Sequence, residues 1–261
     1  MKNALLIIDA QNDFVLTKGT LSVPGAMDDM KRLANFIKNN IDKIDYIGLT
    51  QDSHHVLDIS HPAFWQDKDG KLASPFTSIT YQDVLDGKWT PRLYPQEATK
   101  YLKDLETEGE FPHTVWPEHC IIGTEGAAIV DVVIDAVKEW SRIRSKFYFI
   151  HTKGTFPLTE HFGAFRANIP MVNRPETQIN TKLIETLENF DNVYFAGEAE
   201  SHCVGSTLKQ SFDYPTLAKK FVILEDCMSP VPGFETLSKP IFDEAHKMGI
   251  RFEKAENLKI K

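Results

Sequence analysis

Val193-Tyr194-Phe195-Ala196-Gly197-Glu198-Ala199-Glu200-Ser201-His202-Cys203-Val204 is the stretch that decides the fold. Val193 to Ala196 is an apolar run of strand length, a glycine-containing turn follows, and Cys203 stands in the first turn of a helix expected to run to about Phe212. A thiol placed there meets free backbone N–H groups and the positive end of the helix dipole, and both favour the nucleophilic thiolate. Taken alone, Cys203 reads as a small buried hydrophobe, because free cysteine is among the most buried residue types.

Outward from this stretch, the same strand-then-turn pattern recurs. Ala4 to Ile8 is continuously apolar, as a strand covered on both faces of a parallel sheet must be, and it stops at Asp9. Met30, Leu33, Ile37 and Ile41 recur at helical spacing, with Asp28, Lys31, Lys38 and Asn39 on other faces. Asp45 to Thr50 is the next strand, ending in Gln51-Asp52-Ser53-His54. Helices are expected over about Ala128 to Ser141, Leu183 to Phe190 and Glu235 to Met248. The remaining strands are Phe147 to His151 with Lys153 just beyond, Asn192 to Ala196, Phe221 to Leu224 and a short sixth at Ile250 to Phe252. Alternating strands and helices predict an α/β fold: a doubly wound six-stranded parallel sheet with helices on both faces and right-handed crossovers.

Residues 55–112 break the pattern. Pro62, Pro75, Pro91, Pro95 and Pro112 punctuate it, Phe64, Trp65, Phe76 and Trp89 are scattered through it, and only Glu97 to Leu105 reads as helix. A long irregular segment inside a compact domain is usually functional. We read it as an insertion after the second strand that covers the active-site edge of a single domain spanning residues 1–261, since its apolar content is thin for an independent core.

Composition bounds the function. A 261-residue chain that is 42% hydrophobic can bury a sizeable core, and its net charge of −8 argues against nucleic acid or an anionic membrane as partner. Cys120, Cys203 and Cys227 are odd in number and widely spaced, which fits a reducing compartment better than a disulfide framework. With no stretch long enough for a signal peptide or a membrane span, a cytoplasmic protein is expected. No glycine-rich nucleotide fingerprint occurs.

In open α/β sheets, ligands gather beyond the carboxyl ends of the strands. Asp9, Asp52, His54, Lys153 and Cys203 all fall at that edge. A lone Asp after a strand is ordinarily a cap and a lone Lys ordinarily solvated. Together they supply a base, a cation and a nucleophile: Asp9 to take the thiol proton, Lys153 to hold the thiolate.

Leu6-Ile7-Ile8-Asp9-Ala10-Gln11-Asn12-Asp13-Phe14, Asp52-x-His54, Trp116-Pro117-Glu118-His119-Cys120 with Gly123-Thr124-x-Gly126, Lys153-Gly154 and Gly197 to Val204 occur in this order along the chain. The combination resembles the isochorismatase-like cysteine hydrolases, and within them the nicotinamidases. The resemblance implies a six-stranded parallel sheet and a triad of Asp9, Lys153 and Cys203. It also implies an oxyanion hole from the N–H groups of Ala199 and Cys203, and a cis peptide between Glu198 and Ala199. A divalent metal ion, zinc by the usual preference of such sites, would be held by Asp52, His54 and His119. Phe14, Trp116 and Phe162 would sandwich a flat ring.

The activity so implied is hydrolysis of a small amide, nicotinamide to nicotinate and ammonia, through a thioester, by a self-associating enzyme. The alternatives are an amidase for an N-carbamoyl compound or ureide, and an inactive binding protein of the same fold. This chain departs from the family pattern in three places. Asp58 stands where a histidine ligand is usual, leaving Asp58 or His61 as a possible fourth ligand; Glu200-Ser201 replaces the common Thr-Asp; and the insertion is long. Cys120 and Cys227 read as packing residues, and His202 as support for the turn.

Overall fold

The computed structural model describes residues 1–260. At its centre lies β1 (Asn3–Ile8), buried along its whole length. Successive side chains of a strand point to opposite faces. Accordingly Leu5 and Ile7 join one apolar cluster with Met30, Leu33, Val133 and Trp140, while Ala4, Leu6 and Ile8 join another with Leu183, Leu208 and Ile241. Both faces therefore need a layer of helices.

The chain supplies them in alternation. After β1 come α1 (Asn12–Val15), α2 (Ala26–Asn39) and β2 (Tyr46–Asp52), then the inserted elements β3 (Trp65–Gln66), α3 (Tyr81–Leu85), β4 (Thr90–Pro91) and α4 (Pro95–Thr107). α5 (Asp131–Arg144), β5 (Phe149–Lys153), α6 (Thr181–Glu188) and β6 (Asn192–Gly197) follow. A π-helical turn, Glu200–Val204, then leads into α7 (Gly205–Ser211), α8 (Pro215–Ala218), β7 (Phe221–Leu224), α9 (Lys239–Lys247) and β8 (Arg251–Glu253). The main sheet has the order β5-β2-β1-β6-β7-β8, and every neighbouring pair is parallel. The expected doubly wound six-stranded sheet is what forms. The order reverses around β1, so the carboxyl ends of β1, β2, β5 and β6 open onto one crevice.

Several boundaries differ from the sequence reading, each for a physical reason. β2 and β5 run two residues further than expected because Asp52 and Lys153 are register partners in the ladder, and their ion pair lets two buried polar side chains end these strands. α9 starts at Lys239 instead of Glu235, with Pro240 in its first turn, where a missing N–H costs nothing. α1 and α8 are single turns, too short for periodicity to register.

The segment 55–112 is more ordered than its composition suggests. Thr80 and Asp83 form a reciprocal capping box on α3, β3 and β4 pair antiparallel, and Phe64, Trp65, Tyr101, Leu102 and Leu105 pack into a third apolar cluster. That cluster also takes in Leu158 and Ile169 from the loop after β5, so the insertion completes its packing with residues from the main fold. Among the described residues, no helix is long and apolar enough to cross a membrane.

Candidate active site

Three strand ends and one helix start converge. Asp9 follows β1 with a left-handed backbone (φ 42°), is fully buried, and is fixed by Thr50, whose Oγ1 donates to Asp9 Oδ1 at 2.6 Å and accepts from the Asp9 N–H at 3.0 Å. Lys153 Nζ stands 2.9 Å from Asp9 Oδ2, 3.1 Å from Asp52 Oδ1 and 3.7 Å from Cys203 Sγ, and donates to the His161 carbonyl at 2.8 Å. Carboxylate oxygens of Asp9 and Asp52 and the sulfur of Cys203 lie within 4.8 Å of one another. The three residues expected to form a triad are thus brought together, from positions spread over most of the chain.

Burial dominates the electrostatics. It would depress the Lys153 ammonium, but Asp52 and Asp9 outweigh it and hold the pKa well above the usual lysine value. Burial raises the Asp9 carboxyl, with Lys153 pulling the other way. It also pushes the Cys203 thiol well above its ordinary range, Lys153 again opposing. The helix start therefore does not leave a free thiolate, as the sequence had suggested: desolvation outweighs the local dipole. A resting thiol with a carboxylate beside it needs proton transfer within the reaction itself.

Beside the triad, Asp52 Oδ2 lies 3.0 Å from His54 Nε2 and 3.8 Å from His119 Nε2, and one donor atom from each of the three falls within 4.8 Å of the others. The δ-nitrogens of both rings face away from this focus. His54 Nδ1 is 3.1 Å from Asp58 Oδ2, and His119 Nδ1 is 2.8 Å from the Pro117 carbonyl and 3.2 Å from His61 Nε2. His61 in turn directs its Nδ1 at the His55 carbonyl, 3.0 Å away. The δ-nitrogens are thus engaged with outer partners and the ε-nitrogens of His54 and His119 are directed at one point with Asp52; burial opposes the charged His54 ring, but Asp52 and Asp58 outweigh it and hold its pKa well above the usual histidine value.

The adjoining cavity is lined by Phe14, Leu21, Trp116, His119, Phe162, Ala199, His202, Cys203 and Val231. Trp116 meets Phe162 edge-on with ring centroids 6.5 Å apart and His202 at 4.9 Å, and Phe14 lies 5.5 Å from His119. All three aromatic candidates therefore line one apolar slot together with Cys203. The Glu198–Ala199 peptide is cis, and the Ala199 N–H makes no hydrogen bond among the described residues, leaving it open to an acceptor in the cavity.

No family model matches the chain. A nicotinamidase of Saccharomyces cerevisiae is 25% identical over 248 residues, which cover 94% of this chain and 97% of that protein. The solved yeast nicotinamidase superposes with a TM-score of 0.65 at 22% identity, covering 96% of this chain and 98% of that one. A nicotinamidase/pyrazinamidase of Acinetobacter baumanii gives 0.63 at 21% identity, covering 97% and 96%. Pyrazinamidase of Pyrococcus horikoshii, solved in complex with zinc, gives 0.57 at 19% identity, covering 97% and 99%. The chain has the fold of these solved nicotinamidases.

In this nicotinamidase-like chain the donor set fits a divalent ion: one carboxylate and two imidazoles, each ring oriented by an outer hydrogen bond, as ligating histidines are. Asp58, which stands where a histidine ligand was expected, is occupied elsewhere. It accepts from His54 Nδ1 and, through Oδ1, from the Ser60 N–H at 3.0 Å and the Ser60 hydroxyl at 2.8 Å. His61 likewise backs His119. In this structure Asp58 and His61 both meet the δ-nitrogens of His54 and His119, on the side away from the focus with Asp52.

Several supporting residues escaped the sequence reading. Gln11 Nε2 donates to the Asp52 carbonyl at 2.8 Å and Oε1 accepts from the Asp52 N–H at 2.8 Å, tying the ends of β1 and β2. Asp13 Oδ2 accepts from the Cys120 N–H at 2.7 Å, and Cys120 in turn accepts from the His54 N–H at 3.0 Å. Gly126 passes so close that an added Cβ would lie 2.1 Å from Asp13 Oδ2, which gives the glycine of that motif a reason. His202 does more than brace the turn, since its ring forms part of the cavity wall; burial lowers its pKa to about 3, so the ring is neutral. Cys120 and Cys227 are fully buried, in keeping with packing roles.

Gly154 carries a consequence that can be measured. Its φ of 76° favours glycine, and a Cβ there would lie 2.7 Å from Asp52 Oδ1. Gly154→Ala is expected to cost about 1–2 kcal/mol in stability by backbone strain and displacement of the carboxylate. Urea unfolding at neutral pH would measure it, and an unchanged midpoint would contradict the crowding.

Proposed function

We propose that this chain is a cysteine-dependent amidohydrolase whose substrate is nicotinamide, with Asp9, Lys153 and Cys203 as catalytic residues, Ala199 and Cys203 N–H groups as the oxyanion hole, and Phe14 and Trp116 against the ring. The observation that carries it is the single ammonium of Lys153, within ion-pair distance of Asp9 and Asp52 and 3.7 Å from the Cys203 sulfur. Nicotinamide hydrolysis is the activity named for the curated relative.

Asp9 accepts the proton of the Cys203 thiol as the sulfur attacks the carboxamide carbon, and the carbonyl oxygen becomes an oxyanion received by the two backbone donors. The C–N bond then breaks, with Asp9 returning its proton to the departing ammonia. A water, deprotonated by Asp9, attacks the thioester; the C–S bond breaks, the thiol is reprotonated and the carboxylate leaves. Lys153 keeps its charge throughout, balancing whichever of Asp9 and Cys203 is negative. Asp52, His54 and His119 would hold the metal, for which zinc suits the donor set; it would supply Lewis acidity to anchor the substrate's ring nitrogen. We further read residues 55–112 as cover for the site within one domain, and the protein as a cytoplasmic homo-oligomer.

A screen of small amides for ammonia release tests the reading. Nicotinamide should be hydrolysed faster than an aliphatic amide, an N-carbamoyl compound or a ureide, and a chelator should reduce the rate at least tenfold, in keeping with losses of metal affinity or activity at such sites. Elemental analysis should find about one divalent ion per chain. A reversed substrate order would move the assignment to the other amides; full activity in metal-free protein would remove Asp52, His54 and His119 from the site.

A further inference from the structure

Behind the turn that carries Cys203 lies a second pair of buried carboxyls that the reaction does not use. Glu198 is fully buried and Asp29, on α2, nearly so. Glu198 Oε2 accepts from the Ser229 N–H at 3.2 Å. Its Oε1 is buried without a partner among the described residues, and Ser229 brings the carboxyl beside Asp29 by bonding both. Asp29 has its own donors: Ser229 Oγ to Oδ2 at 2.5 Å and Arg32 Nη2 to Oδ1 at 2.5 Å.

The groups facing this pair come from every side. Arg32 is the cation and also donates from Nε to the Asp226 carbonyl at 2.6 Å. Glu200, from the same turn, is held by Ser238 Oγ at 3.0 Å. Asp226 and the Cys227 thiol lie beyond Asp29 and Arg32. The Arg32 guanidinium pairs with Asp29, so an ionised Glu198 would be a buried negative charge with no cation of its own among the described residues.

Resting on the hydrolase reading above, we propose that Glu198 and Asp29 share one proton, and that this pair is a positioning device clamping the Glu198–Cys203 turn to α2 and to Ser229. A proton on Oε1 makes that orphaned oxygen a donor, with Asp29 as its acceptor. The turn is also tied by main-chain bonds from Glu198 N–H to the Ile8 carbonyl at 2.8 Å and Glu200 N–H to the Ser229 carbonyl at 2.9 Å. Since Ala199 follows Glu198 directly, any displacement of Glu198 moves the Ala199 N–H. Burial first, and then Asp29, hold the Glu198 carboxyl well above the usual carboxylate range. Loss of the shared proton places a second negative charge against Asp29 and pushes the turn out of place.

The test compares the whole protein with Glu198→Gln, whose amide donates to Asp29 and accepts from Ser229 without titrating. An unfolded glutamic acid loses its proton near pH 4.3; the folded one keeps it to higher pH. Wild-type stability therefore falls, relative to Glu198→Gln, as pH rises from there toward the folded pKa, with the ratio of folding constants changing about tenfold per pH unit. In kcat, the variant should keep its activity on the alkaline side where the wild type loses it, and the infrared carbonyl band of a protonated carboxyl should vanish in the variant. Should Glu198→Gln fold poorly, Asp29→Asn reads the same pair: burial alone then holds the Glu198 proton, so the carboxyl band should titrate away at lower pH than in the wild type. Parallel stability profiles, a band that survives in Glu198→Gln, or a band whose titration Asp29→Asn leaves unmoved would overturn the shared proton. A confirmed proton with superposable kcat profiles would overturn the positioning role. Stability and infrared data need no turnover, so a failure to hydrolyse any amide would count against the hydrolase reading and leave the shared proton standing.

Discussion

Cys203→Ala is expected to lose turnover by a factor on the order of 10⁴ or more, since residues acting as one nucleophilic unit lose nearly all their effect when the attacking atom is removed. Cys203→Ser should fall about as far. A hydroxyl is far less acidic than a thiol, and Asp9 would have to deprotonate it in a site where burial already opposes the anion. Neither change should unfold the protein. The side chain is small and lines a cavity, so the cost in stability should be about 1 kcal/mol. Ammonia release and thermal unfolding on the same samples check this. Thiol alkylation offers a second reading: Cys203 borders the cavity while Cys120 and Cys227 are fully buried, so a small reagent should label one thiol, and nicotinamide should slow it. Retained turnover in Cys203→Ala would end the assignment of this sulfur as nucleophile.

Much of the fold was legible because buried parallel strands must be continuously apolar. Ala4 to Ile8 and Phe221 to Leu224 announce themselves, and each ends in a polar residue, so the functional edge was legible too. Asp9, Asp52, His54, Lys153 and Cys203 could be placed there because strand ends, unlike helix faces, share one rim. What stayed hidden was everything decided by contacts distant in sequence. Thr50 and Gln11 look like ordinary strand and turn residues, and only the register of β1 against β2 makes them supports for Asp9 and Asp52. Asp58 looked like a substitute ligand because spacing cannot show that its carboxylate meets the δ-nitrogen of His54. Glu198 gave no signal at all: a glutamate after a strand reads as a solvated turn residue, and its burial against Asp29 depends on α2, which begins more than 170 residues earlier. The order inside the insertion was hidden as well, because its apolar cluster is completed by Leu158 and Ile169 from outside it.

Lys153 ties the two halves of the site together, and its removal should be the most revealing change after loss of the sulfur. Its ammonium is buried between Asp9 and Asp52, so Lys153→Met leaves two carboxylates facing each other without a cation. Breaking a buried pair by deleting one partner typically costs about 3–5 kcal/mol, and one of the carboxyls should respond by taking up a proton. If Asp9 takes it, the general base is lost; if Asp52 takes it, a metal ligand is weakened. Either way kcat/KM should drop by about 10³-fold or more, as the charge that balances the thiolate is lost along with a proton-transfer partner. The double variant Lys153→Met with Asp9→Asn separates the two roles. Removing the uncompensated carboxylate should recover much of the lost stability, seen as a return of the urea midpoint toward wild type, while activity stays absent. A double variant no more stable than Lys153→Met alone would mean that the ion pair is not what holds these strand ends together. Activity retained in the single variant would mean that the thiolate needs no fixed cation beside it.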